Sequence, residues 1–270
     1  MSTKGIYSAV SGAIAQDLRL QTIANNLANV NTTGFKKDGQ AFREYLTAHE
    51  KAPEVLQVPR VPASIESFYN MQGADKSYAE ANGTYTNFAQ GSLRPTGNPL
   101  DIALEGSGFL EVSTPQGIRY LRAGALNLDA NGRLITKDGH PVLAAGAPGS
   151  PPEGRQIILQ GSNNVVVSSL GEIYQNGQQV GRLSVVDFES KDALQKVGHS
   201  YWSPRPNFAA NPLPAPGARF HQGFLESSNV NVISEMTDMI ATTRAFESLQ
   251  KAIQAYDSMN DKLVNQVPKF

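Results

Sequence analysis

The 270-residue chain has room for one large core or two modest domains, and its 23 Lys+Arg against 24 Asp+Glu leave a formal net charge of −1. That balance gives no global attraction to nucleic acid or to an anionic membrane. Cysteine is absent, which excludes disulfides, thiolate metal sites and cysteine nucleophiles.

Residues 5–33 carry Asp17 and Arg19 as their only ionised side chains. Ile6, Val10, Ala13, Leu20, Ala24 and Leu27 recur at near-heptad spacing, with Asp17 taking one turn of the series. The spacing predicts a long helix that stops at Thr32–Thr33–Gly34, where Gly34 can take the left-handed conformation beyond the last turn. The segment lacks the ~20 consecutive apolar residues of a membrane span. Asp17 and Arg19 also interrupt any secretory-signal pattern and no small-residue cleavage site comes after them, so export would use another route, without cleavage.

Residues 36–75 read as an extended connector. Ala41–Ala48 has helical composition, but Pro53, Pro59 and Pro62 prevent a helix from continuing past it. Residues 76–225 change character, to short alternating runs such as Leu100, Ile102 and Leu104 cut by turn signals at Pro115–Gly117, Asn131–Gly132, Asp138–Gly139 and Asn176–Gly177. This pattern predicts an antiparallel β domain, and the proline-rich stretch Ser203–Gly217 reads as an extended return strap.

Helical periodicity returns over residues 229–267. Asn231 is placed to cap, Glu235 and Asp238 fall in the positive first turns, and Glu247–Lys251 make an i,i+4 pair. Val232, Met236, Met239, Phe246, Leu249, Ile253, Tyr256, Leu263 and Val267 form its apolar series. The fold class is therefore α+β: long N- and C-terminal helices forming a coiled coil flank a central antiparallel all-β domain. The segments are 1–35 helix, 36–75 connector, 76–225 β domain and 226–270 helix.

Catalytic patterns are missing. His49, His140, His199 and His221 show no HxH or HExxH spacing. Gly106–Ser107–Gly108 lacks the lysine and downstream helix of a phosphate loop and reads as a tight turn. Asp101, Glu105 and Glu111 could be paired as glycosidase carboxylates, but acidic residues are common on a solvated strand face. Trp202 reads as a core or strap anchor, and there is no basic stripe with interleaved aromatics. The chain reads as no enzyme, with no cofactor and no metal.

Asn25, Asn26, Asn29 and Asn31 occupy more than one side of the first helix's end. Asn is a poor helix former, and a buried amide needs partners for both its oxygen and its NH2. Two readings stand: an exposed, frayed helix end, or amides that bond between neighbouring copies and fix their register.

Three stretches carry a family resemblance. "ANNLANVNTTGFKK" at Ala24–Lys37 resembles the N-terminal signature of bacterial flagellar rod and hook proteins. "GNPLDIALEGSGFLEV" at Gly97–Val112 resembles the start of their β domain, and "GFLESSNVNVISEMTDMIATTRAFESLQKAIQAYDSM" at Gly223–Met259 is similar to their C-terminal helix. The length and single β domain fit the rod better than the hook. "EMTDMIATTRAFESLQK" departs from the distal-rod pattern and looks closer to the proximal-rod FlgF type, with the distal-rod FlgG type as the alternative.

The resemblance implies a structural rod subunit, assembled helically into a hollow drive shaft by terminal helices that pair with each other and with neighbouring subunits, the β domain facing outward. It implies as partners copies of itself, other rod proteins and the flagellar type III export apparatus, with no nucleic acid and no membrane insertion. It implies a place in the basal body, as periplasmic rod. On that reading Leu20, Ile23, Leu27 and Val30 pack the N-terminal seam, Asn25, Asn26 and Asn29 set its register, and Met236, Ile240, Phe246, Leu249 and Ile253 pack the C-terminal helix. An ordinary intramolecular core would use the same apolar pattern. The terminal segments are expected to order only on assembly. Two rivals from other classes are a secreted oligomeric β-rich adhesin and a wall-active enzyme using Asp101 or Glu105.

Overall fold

A computed structural model of the chain describes residues 4–46, 77–146, 151–161, 164–198, 200–206, 208 and 211–266. The middle of the connector with His49, Pro53, Pro59 and Pro62, together with His199 and Val267, lies outside the described residues. The chain divides into two compact units, one drawn from 1–25, 38–85 and 233–270, the other from 26–37 and 86–232.

The first unit holds most of two helices, α1 (Lys4–Ala28) and α2 (Val232–Gln266), and a two-stranded sheet of Asp38–Leu46 with Ser77–Thr86. The 35 residues of α2 reach about 50 Å at ~1.5 Å per residue. Its first turn carries Glu235, where the helix dipole favours an acid. The helices meet where α1 has no side chain: the Tyr256 ring lies over Gly5 and Leu249 lies against Gly12. The position numbers rise along α1 as they fall along α2, so the pair is antiparallel. Residues 41–46, which have helical composition, are strand instead.

The second unit is the β region. Its largest sheet runs, in spatial order, Leu194–Lys196, Tyr201–Pro204, Gly117–Leu121, Phe109–Thr114, Val185–Asp187 and Leu213–Pro214, with antiparallel pairing throughout. The turn dipeptides sit where the hairpins need them. Gln175 faces Gln178, and Asn176 (φ 53°) and Gly177 (φ 81°) close a two-residue loop with both central residues left-handed. Thr114 faces Gly117 across a second two-residue loop. The inward positions Leu104, Leu110, Val112, Leu126, Leu134, Val142 and Ile173 form one core. Each such side chain stabilises by ~1.5–3 kcal/mol relative to exposure. A second cluster gathers Phe109, Tyr120, Phe188, Leu194 and Trp202, with Phe88 at 4.9 Å from the Trp202 ring. Trp202 is a core anchor.

The return strap places Leu213–Pro214 on the edge of the large sheet against Val186 and Asp187. Proline there cannot donate to a further strand, which blunts the edge. The chain then pairs Arg219–Gln222 with Ile102–Glu105 and Phe224–Glu226 with Leu93–Pro95. That carries the C-terminal signature back beside the residues that come after α1.

Candidate functional site: the signature junction and the helix faces

The junction begins with the end of α1. Asn29 and Val30 donate to the carbonyls of Asn26 and Leu27, tightening the last turn to three-residue spacing. Gly34 then takes φ +68°, and a Cβ there would meet the Ala123 nitrogen at 2.6 Å. Only glycine satisfies both conditions without strain. Its N–H donates to the Glu226 carbonyl at 2.9 Å.

Beyond Gly34 the chain is held by side chains from three remote stretches. Lys36 Nζ donates to Glu226 Oε1 at 2.6 Å and to the Ala89 carbonyl at 2.9 Å. Arg122 Nε donates to Glu226 Oε2 at 2.6 Å, and its remaining nitrogens reach the carbonyls of Gly108, Gly106 and Leu104. The Gly91 N–H also donates to Glu226 Oε1, at 2.9 Å. Asn229 ties neighbouring stretches of chain: its Oδ1 accepts from the Lys37 N–H at 2.7 Å, and its amide donates to the carbonyls of Asn87 and Ala89. Lys196 donates to the Lys36 carbonyl and lies 4.2 Å from the centroid of the Phe35 ring. Lys36, Arg122 and Glu226 are all buried.

Burying three charges costs several kcal/mol each unless partners compensate. Here Glu226 answers both cations. Burial is the largest influence on the Lys36 ammonium and pushes its pKa below the usual lysine value, aided by neighbouring Arg122 and Lys191 and opposed by Glu226. The arrangement is a clasp: it holds the exit of α1 and the approach to α2 on one part of the β region.

The helix faces form the other feature. On α1, Tyr7, Val10, Ile14 and Leu18 are exposed. At 3.6 residues per turn they make one stripe on the side opposite Gly5 and Gly12. On α2, Ile233, Met236 and Ile240 are exposed opposite Leu249 and Tyr256, with Ile240 56% accessible. Each helix therefore has two apolar sides, one turned to its partner helix and one open.

The sequence-derived interface residues divide between these environments. Ile23 and Asn26 are buried within the chain itself, and Leu20, Leu27, Asn29 and Val30 are half-buried. Asn25 is exposed, as are Met236 and Ile240, while Phe246, Leu249 and Ile253 are half-buried. Val10, placed in the same seam as Ala13 by spacing, lies on the open side. Tyr7, Ile14 and Leu18 fall outside the series read from the sequence. A second apolar series half a turn away is the signal that finds them.

The supposed catalytic carboxylates each have a separate partner. Asp101 is buried and accepts from Asn98, Glu105 is exposed against His221 at 2.6 Å, and Glu111 is paired with Arg155 and accepts from Ser184. Among the described residues no group of three or more His, Cys, Asp or Glu could hold a metal ion, and no helix is long and apolar enough to cross a membrane.

Three family models match. Residues 6–36 match the flagella basal body rod protein model, 103–175 the flagellar hook protein FlgE/F/G D1 domain, and 221–267 the flagellar basal body rod FlgEFG protein C-terminal model. The chain is 32% identical to the flagellar basal-body rod protein FlgF of Mesorhizobium japonicum, over 96% of this chain and 95% of that one. The chain belongs to the flagellar basal-body rod protein family. It is also 30% identical to the rod protein FlgG of Bacillus subtilis over 97% of this chain and 98% of that one. To the flagellar hook-basal body complex protein FlhO of the same organism it is 33% identical, over 99% of both. Within this rod family the chain is of the FlgF/FlgG type. Two of its three matched segments end or begin in the clasp, at Lys36 and near Glu226.

Proposed function

We infer that the chain is a structural subunit of the flagellar basal-body rod, joined to neighbouring subunits by the open apolar sides of α1 and α2. The family is a structural one and not an enzyme, and its members are named for the flagellar basal body. The observation that carries the assembly reading is the second apolar stripe on each terminal helix, left open after the two helices have met. Subunits related by a rotation that does not close would bury such stripes in a helical stack, with the paired helices as a coiled coil lining a hollow tube. Exposed amides such as Asn25 would set the register between copies, and Leu20, Leu27, Val30, Phe246 and Ile253 would complete the packing. The FlgF-like sequence after Ser234 favours a proximal place in the stack. Passage through the type III export apparatus without a cleaved signal, and residence in the periplasmic rod, complete the reading.

The test is to place a charge on the open side only. Ile14→Asp and Ile240→Asp change residues that are 57% and 56% accessible, so the single chain should keep its stability to within about 0.5 kcal/mol. Each should abolish motility and incorporation into isolated basal bodies. Wild-type swimming by either variant would refute the assembly face.

A further inference from the structure

Gly106–Ser107–Gly108 lacks the lysine of a phosphate loop, but the fold supplies cations to it from elsewhere. Lys36, Arg122 and Lys191 line a cavity of about 220 Å³ beside this loop, with Gln90 in its wall. Lys191 Nζ lies 3.3 Å from Ser107 Oγ, at an exposed position. No carboxylate lines the cavity among the described residues. The nearby anion is Glu226, and both its oxygens are engaged, one by Lys36 and the Gly91 N–H, the other by Arg122. Glu226 thus answers Lys36 and Arg122, and no carboxylate in the cavity wall answers Lys191.

We propose that this cavity binds one small oxyanion, a carboxylate or phosphate group, held between Lys191, Ser107 and Lys36. Arg122 is turned inward, with its donors on Glu226 and on the carbonyls of Gly108, Gly106 and Leu104. Recognition thus uses ammonium point charges and a hydroxyl rather than a planar guanidinium fork, and it selects charge and size. With Lys191 donating, the Ser107 hydroxyl proton stays available to the anion. Lys36 has two of its three ammonium protons on Glu226 and Ala89. Burial is the main cause of the lowered Lys36 pKa, and Arg122 and Lys191 add to it in the same direction.

Calorimetric titration of the full chain with inorganic phosphate, and separately with acetate, against chloride at matched ionic strength tests this. The proposal expects saturable binding that weakens about tenfold in Lys191→Ala, the loss of one charge-assisted hydrogen bond. Ser107→Ala should weaken it in the same direction and serves if Lys191→Ala folds poorly. Absence of saturation, or equal affinity in wild type and both variants, overturns the proposal. Once binding is measured, a second arm, which rests on the rod reading, identifies the source of the anion. Lys191→Glu excluded from basal bodies assigns it to an acidic side chain on a neighbouring subunit. Full incorporation of Lys191→Glu assigns it to a free oxyanion.

Discussion

Glu226 is the residue on which the clasp turns. Its carboxylate is the shared partner of two buried cations, so Glu226→Ala leaves both uncompensated, and breaking a buried pair costs about 3–5 kcal/mol. Urea unfolding of the purified chain should show that loss, while Glu105→Ala, at an exposed carboxylate, should change stability by less than about 0.5 kcal/mol. Equal effects would mean the clasp adds nothing. Tyr120 gives a second residue-scale prediction. Burial, reinforced by Glu111, pushes its phenol up to about 12 from 10.0. The proton is therefore held more tightly in the folded chain. Its contribution is complete below pH 10 and is lost as pH rises towards 12, because the unfolded chain ionises first. Wild type should lose stability over that window more steeply than Tyr120→Phe. Parallel pH profiles for the two proteins would contradict the assignment.

At the scale of elements, Gly34 joins helix to clasp. Gly34→Ala would put a Cβ 2.6 Å from the Ala123 nitrogen at a left-handed φ, a strain of about 1–3 kcal/mol. The variant should unfold at lower urea, and an unchanged midpoint would show that the approach relaxes freely. The left-handed turn at Gly34 was legible in the sequence, although α1 itself stops at Ala28, short of the expected Thr32–Gly34, and the hairpins at Asn176–Gly177 and Pro115–Gly117 were legible too. The clasp was not. Arg122 lies 104 residues from Glu226 and Lys36 lies 190 from it, and no local pattern announces a pairing at such a distance. Residues 41–46 show the reverse case, where composition favoured helix and pairing with Ser77–Thr86 decided for strand. For the assembly face, one averaged apolar series hid two. Val10 and Ala13 are neighbours on the helix surface, three residues apart, yet one is exposed and the other buried, so the edge of the open side runs between them.

For the molecule as a whole, the two units differ in what sustains them. The β region has its own core, with Val112, Val142 and Leu143 wholly inaccessible and their amides in closed pairings such as Leu143 N–H to the Glu111 carbonyl. The helices have a seam in which α1 offers glycine at two of its contacts, and each keeps an open apolar side. Helical segments depend chiefly on packing for their stability, and glycine within them lowers it further. Hydrogen exchange on the purified chain should therefore be two-tiered. Amides of Val142 and Leu143 should exchange at the rate of global unfolding, while those of residues 5–25 and 233–265 exchange orders of magnitude faster. In assembled rods the helical amides should become as slow as the core, as the proposed covering of Ile14 and Ile240 by neighbouring copies requires. Helices already as protected in the free chain as the β core would show that the subunit needs no neighbour to complete them, and the stripes would have to be explained without assembly.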